Sequence, residues 1–163
     1  MKHSVIFFVI LSCFLLLPKD SSMAQVSWNV GGNMGMAIVT GGGGSATDFT
    51  FGPMAEVVFH KNIAIGSEFD ITTGTGTPIT WANYFKYYFT VPGSRIKPYA
   101  DAGFGLVFVT GGPYVFIPFG GGANFPVARN LFVSADLTLG PEFVTGITLF
   151  AIIIRTGIRY EIP

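Results

Sequence analysis

Three observations predict an all-β fold, an eight-stranded antiparallel up-and-down transmembrane β-barrel. Apolar residues alternate with small or polar ones over eight segments, turn residues separate the segments, and charge is too scarce for a surface that meets water. Charged residues make up 11% of the chain, against about a quarter in an ordinary soluble domain. Half of the residues are hydrophobic, yet beyond the first two dozen or so no run approaches the roughly eighteen apolar residues of a membrane-spanning helix. The 22 Gly and 10 Pro recur too often for long helices.

The chain opens on an export address. Lys2 and His3 form a short polar start, Val5 to Leu17 an apolar run, and Ser22-Met23-Ala24 the small residues that a signal peptidase reads. The apolar run falls short of the roughly twenty residues that cross a bilayer as a helix. Residues 1–24 are therefore expected to be a cleaved signal peptide, and residues 25–163 a single domain beginning near Gln25. Ile10-Leu11-Ser12-Cys13 makes a poor lipoprotein box, because cleavage there would cut inside the apolar run. Cys13 is the one cysteine, so the exported domain must hold together without disulfides. Asp and Glu balance Lys and Arg at nine each, and no charged face for nucleic acid is expected.

The expected strands run from Val26 to Val39, Phe49 to Phe59, Ile63 to Thr73, Ile79 to Thr90, Tyr99 to Val109, Val115 to Phe125, Leu131 to Gly140 and Ile147 to Ile162. The second sets Phe49, Phe51, Ala55, Val57 and Phe59 against Thr50, Gly52, Glu56 and His60. In the third, Ile63, Ile65, Phe69 and Ile71 oppose Ala64, Gly66, Glu68, Asp70 and Thr72. The fifth sets Ala102, Phe104, Leu106 and Phe108 against Asp101, Gly103 and Gly105; the seventh sets Leu131, Val133, Ala135, Leu137 and Leu139 against Ser134, Asp136 and Thr138. A sandwich would turn the second face to water, but Gly, Ala, Thr and Ser with scattered charges are a thin coat for solubility. Small residues suit the narrow interior of an eight-stranded barrel, which has room only for side chains. Trp28, Trp81, Tyr87, Phe89, Tyr99, Phe125 and Tyr160 fall near segment ends, where an aromatic girdle would meet the membrane interface.

Face parity then places Glu56, Glu68, Asp70, Lys86, Asp101, Asp136, Arg155 and Arg159 in the lumen. The opposite parity would put charge into lipid, at about 2–4 kcal/mol for Arg or Lys near the midplane. Charges inside a narrow barrel must pair, so an interior network that plugs the lumen is expected.

The last segment, Arg155-Thr156-Gly157-Ile158-Arg159-Tyr160-Glu161-Ile162, keeps a strict period of two where a soluble chain would fray. It resembles the C-terminal assembly signal of bacterial outer-membrane β-barrel proteins, carried here by Arg155, Gly157, Tyr160 and Ile162. The departure is Pro163, since that family commonly ends on an aromatic residue. Lys97 to Phe108 and Phe119 to Gly140 look like the strand-turn-strand units of small OmpA-like and OmpX-like barrels. The resemblance implies residence in the bacterial outer membrane among its lipids, and recognition of the last strand by the barrel-assembly machinery.

With eight strands and a periplasmic N-terminus, the connections around His60-Lys61-Asn62, Val91 to Pro98 and Pro126 to Asn130 are expected in the periplasm. Thr40 to Asp48, Gly74 to Pro78, Thr110 to Tyr114 and Pro141 to Gly146 are expected outside, as short loops. The run Gly41 to Gly44 lacks the Lys and Ser or Thr of a phosphate-binding loop and reads as a flexible outer loop. His60 is the one histidine beyond the leader, too few for a metal site or for a His, Ser and acid constellation at the outer rim. The expected function is a non-enzymatic, monomeric envelope protein with a structural or interaction role and no cofactor. Two alternatives are a secreted lipocalin-like carrier, with an apolar pocket, and a narrow small-solute pore, with an open lumen.

Overall fold

The computed structural model describes residues 26–59, 62–74 and 76–162; the expected leader, together with His60 and Lys61 of the first connection, lies outside them. Its strands are β1 (Ser27–Gly41), β2 (Gly44–Phe59), β3 (Ile63–Thr72), β4 (Ile79–Tyr88), β5 (Lys97–Val109), β6 (Gly112–Phe116), β7 (Phe119–Pro126), β8 (Leu131–Val144) and β9 (Ile147–Ile162). Neighbours in sequence pair antiparallel, β9 returns to β1, and β6 and β7 share the gap between β5 and β8. The sheet therefore closes as eight staves, the sixth made of β6 and β7. Closure pairs the backbone N–H and C=O groups that an open edge would leave bare.

The sequence predicts the sixth stave as one strand from Val115 to Phe125, and its interruption has a simple cause. Against β5, Phe116 faces Gly105 and Phe119 faces Ala102; against β8, they face Glu142 and Leu139. The intervening Ile117 and Pro118 are matched by two residues on each side, so the register passes through unbroken. Pro118 has no N–H for the ladder. Its carbonyl still accepts from Gly103 N–H at 2.8 Å, and Ile117 N–H donates to the Pro141 carbonyl at 3.1 Å.

The distribution of side chains is inverted relative to a soluble protein. Ile158 (59%), Phe85, Ile65 and Ile154 (each 55%) are among the most exposed large hydrophobic residues, whereas Glu56, Lys86 and Arg159 on the axis are each 1% exposed. The period of two thus turns apolar side chains outward and charged ones inward on every charged stave.

Several strands run past their expected ends. Thr40 to Asp48, expected as an outer loop, is mostly strand, because β1 continues to Gly41 and β2 starts at Gly44; β8 likewise runs to Val144. Side-chain pattern does not limit a backbone ladder, which extends as far as the turn allows. Gly42 (φ 59°) and Gly43 (φ 86°) form the two-residue turn with positive φ at both positions that matches strand twist. The Gly41 to Gly44 run is therefore a tight hairpin end and not a loop. Thr110-Gly111 and Thr145-Gly146 close two further hairpins of the same length.

On β2 the outward apolar residues run from Phe49 to Phe59, roughly 33 Å of strand, or about 25 Å along the normal at a typical barrel tilt. Ser45 and Thr47, above them, are polar. Strands β1, β2 and β9, of 15, 16 and 16 residues, rise beyond the apolar band, while β3 and β4 have 10 each. The wall made by β8, β9, β1 and β2 is thus taller than the rest at the end away from the termini.

The turn geometry makes a paired prediction. Gly43→Ala, which forces a Cβ onto a left-handed residue in open space, should cost about 1–2 kcal/mol. Gly44→Ala, also in open space but with an ordinary φ, should be near neutral. Urea unfolding midpoints in lipid vesicles compare the two; equal effects would rule out the assigned turn.

Candidate functional site

The lumen is the candidate site, and it is assembled from one or two residues of each of six staves. Glu56 comes from β2, Glu68 and Asp70 from β3, Lys86 from β4, Asp101 from β5, Asp136 from β8, and Arg155 and Arg159 from β9. All except Asp101 are buried, and all eight point inward.

Two centres organise them. In the first, the Arg155 guanidinium donates to Glu68 Oε2 and Asp70 Oδ2, both at 2.7 Å, to Asp136 Oδ1 at 2.9 Å and to Thr138 Oγ1 at 3.1 Å. Nearer the termini, Glu56 forms the second: it accepts from Asn29 Nδ2 at 2.6 Å and from the Tyr88 hydroxyl, with Lys86 Nζ at 3.3 Å and Arg159 Nη1 at 3.8 Å. Lys86 to Glu68 and Arg159 to Asp136, each 3.8 Å, link the two. Asp101 stands opposite Lys86 in register but makes no ion pair among the described residues, and its Oδ1 is buried without a partner there.

Three tyrosines complete the site, and the girdle assignment of Tyr99 is corrected. Tyr99 is buried in the lumen, where its hydroxyl accepts from Arg159 Nη2 at 3.0 Å and its ring stands 4.8 Å from Lys86 Nζ. The cause is parity: Tyr99 shares the inward face of β5 with Asp101, Gly103 and Gly105. Tyr84 and Tyr88 are buried on the inward face of β4 beside Lys86. The alternation through Lys86 carried the signal for both. Trp28, Trp81, Tyr87, Phe89, Phe125 and Tyr160 do face outward.

Apolar layers cap the charges at both ends. Val58, Ala64, Tyr88 and Tyr99 lie toward the termini, and Ala37, Val107, Phe116, Ala151 and Ile153 lie toward the far end. Of the residues singled out in the last strand, Arg155 and Gly157 point inward while Tyr160 and Ile162 point outward. A Cβ at Gly157 would stand 2.6 Å from the Gly32 carbonyl oxygen and 2.9 Å from Ser134 Oγ, so glycine is required where the barrel closes between two arginines.

Such an arrangement fills the axis with paired charge. Removing one partner of a buried charge set costs about 3–5 kcal/mol because the others stay desolvated. Arg155→Leu should therefore lower the urea unfolding midpoint in vesicles, and adding Glu68→Gln should restore part of the loss. A single variant as stable as the parent would show that the guanidinium contributes no net stability.

Neither a protein-family model nor a curated protein sequence matches the chain. Solved structures do. The crystal structure of Neisserial surface protein A superposes with a TM-score of 0.70 at 16% identity, over 83% of this chain and 98% of that one. The N-terminal β-barrel domain of Pseudomonas aeruginosa OprF gives 0.62 at 14%, over 85% and 98%. A major outer membrane protein from Thermus thermophilus gives 0.51 at 13%, over 84% and 99%. The fold of this chain is that of the small eight-stranded outer-membrane β-barrels.

Proposed function

We propose that the chain is an integral protein of a bacterial outer membrane, non-enzymatic and monomeric, with a structural or interaction role in the cell envelope. One observation carries the reading: charge is gathered on the axis and a band of exposed apolar side chains, about as tall as a bilayer core, surrounds it. The lipocalin-like alternative needs the opposite parity, with the apolar face lining a pocket. The pore alternative needs an open lumen, whereas Arg159, Lys86, Glu56, Phe116 and Pro118 are among the largest of the fully buried side chains and fill it.

In this reading the termini face the periplasm and the tall wall of β8, β9, β1 and β2 faces outward. The last strand serves the barrel-assembly machinery, with Tyr160 and Ile162 presented on the outside of the strand. The expected envelope role fits a scarcity of chemistry: one histidine beyond the leader and no cysteine there.

Three measurements test the proposal. Purified barrel in planar bilayers should give no stepwise conductance; steady channels would overturn the closed lumen. In cells, a cysteine at Ser45 should react with an impermeant thiol reagent and one at Asn62 should not. Labelling of both would reverse the strand count. For assembly, Gly157→Val with Tyr160→Ala should reduce heat-modifiable barrel and leave a periplasmic species, while normal yield would separate this strand from the assembly signal.

A further inference from the structure

At the far end, above the layer formed by Ala37, Val107, Phe116, Ala151 and Ile153, the barrel opens into a cup of about 420 Å³. Val107, Ala151 and Ile153 line its floor, Tyr114 its wall and Asp48 its rim. Glu142 also lines it. The sequence places that residue in an outer loop, but it lies on the inward face of β8 and is only 6% exposed. Tyr114 and Glu142 line the same cup, and Glu142 Oε2 is buried with no partner among the described residues.

A desolvated carboxylate oxygen without a donor is costly. Among the described residues no cationic side chain at that end can supply the donor. Their Lys and Arg are Lys86, Arg95, Lys97, Arg129, Arg155 and Arg159. None of these six lies in the upper parts of the staves, and Lys86, Arg155 and Arg159 are engaged below the apolar floor. A bare divalent cation fits poorly, because it needs about six oxygen ligands. The described residues contain no group of three or more acidic, His or Cys side chains that could hold a metal.

We propose that the cup binds a small amphiphile with one ammonium group on a compact apolar body. The ammonium supplies the donor that Glu142 Oε2 lacks, Asp48 at the rim attracts the cation, and the apolar body sits on Val107, Ala151 and Ile153. The volume falls in the range of ordinary small-molecule sites, roughly 300–1,000 Å³. The inference rests on the reading of a lumen closed below the cup. Conductance measured on the same preparation tells a failure of that reading from a failure of the site.

The test uses the full barrel in lipid nanodiscs with labelled Ala, Ile and Val methyl groups, titrated with 1-adamantylammonium and, separately, with 1-adamantanol. The amine should give saturable shifts at the methyls of Val107, Ala151 and Ile153, and the alcohol should bind at least tenfold more weakly. Glu142→Gln should weaken the amine at least tenfold and leave the alcohol unchanged. Ala151→Phe, which fills the cup, should abolish both while the barrel remains heat-modifiable. Equal binding of amine and alcohol, or shifts confined to the outward-facing Ile154 and Ile158, would overturn the proposal. If Glu142→Gln does not assemble, the amine-to-alcohol ratio and Ala151→Phe decide alone.

Discussion

Arg155 holds the interior of this barrel together. Its guanidinium is a fixed fork of five donors, and it spends them on carboxylates from two directions: Asp136 on the adjacent β8, and Glu68 and Asp70 on β3, three staves away around the wall. A contact of the second kind crosses the lumen. It couples distant walls of a closed sheet, as the hydrogen bond from Arg159 on β9 to Tyr99 on β5 also does. Desolvation makes the arrangement exacting, since a charge stripped of water is tolerable only when its partners are in place.

The surroundings follow from that exactness. Enclosing five carboxylates with three cations leaves negative charge in excess, and the structure answers with neutral donors to Glu56: Asn29 and Tyr88. Tyrosine suits the site because its hydroxyl can donate, as that of Tyr88 does to Glu56, and its ring can face a cation, as that of Tyr99 faces Lys86 and Arg159. The apolar layers above and below keep solvent from the charges, which strengthens the pairs it would otherwise screen. Glycines make this filling possible. At Gly157 the absence of a side chain leaves the space between Arg155 and Arg159 for the closing strands and for Ser134.

Height is governed differently from width. The outward apolar band is limited by the length over which apolar residues alternate, but the ladder is indifferent to side chains and ends only at a turn. The tall wall is the consequence. It carries Glu142 and Asp48 above the charged centre, separated from it by the layer containing Phe116, so one end of the lumen becomes a cup instead of a continuation of the plug.

The sequence by itself determined the fold class, the inward set of charges and the direction of every charged stave's faces, because a period of two is a local property that each segment declares independently. It misleads where a residue's class and its parity disagree. Tyr99 reads as a girdle residue because it is an aromatic near a strand end, although its neighbours Asp101 and Gly103 place it inside. Glu142 reads as a loop residue because Pro141 and Gly146 beside it resemble turn residues. The ladder that keeps β8 running to Val144 comes from its pairing with the start of β9, Ile147 to Phe150. Only the tertiary structure decided which charge meets which. Glu68 and Arg155 are 87 positions apart, and their contact depends on how far around the barrel and at what stagger their staves stand. That geometry is set by closure of the whole sheet, and no single strand contains it.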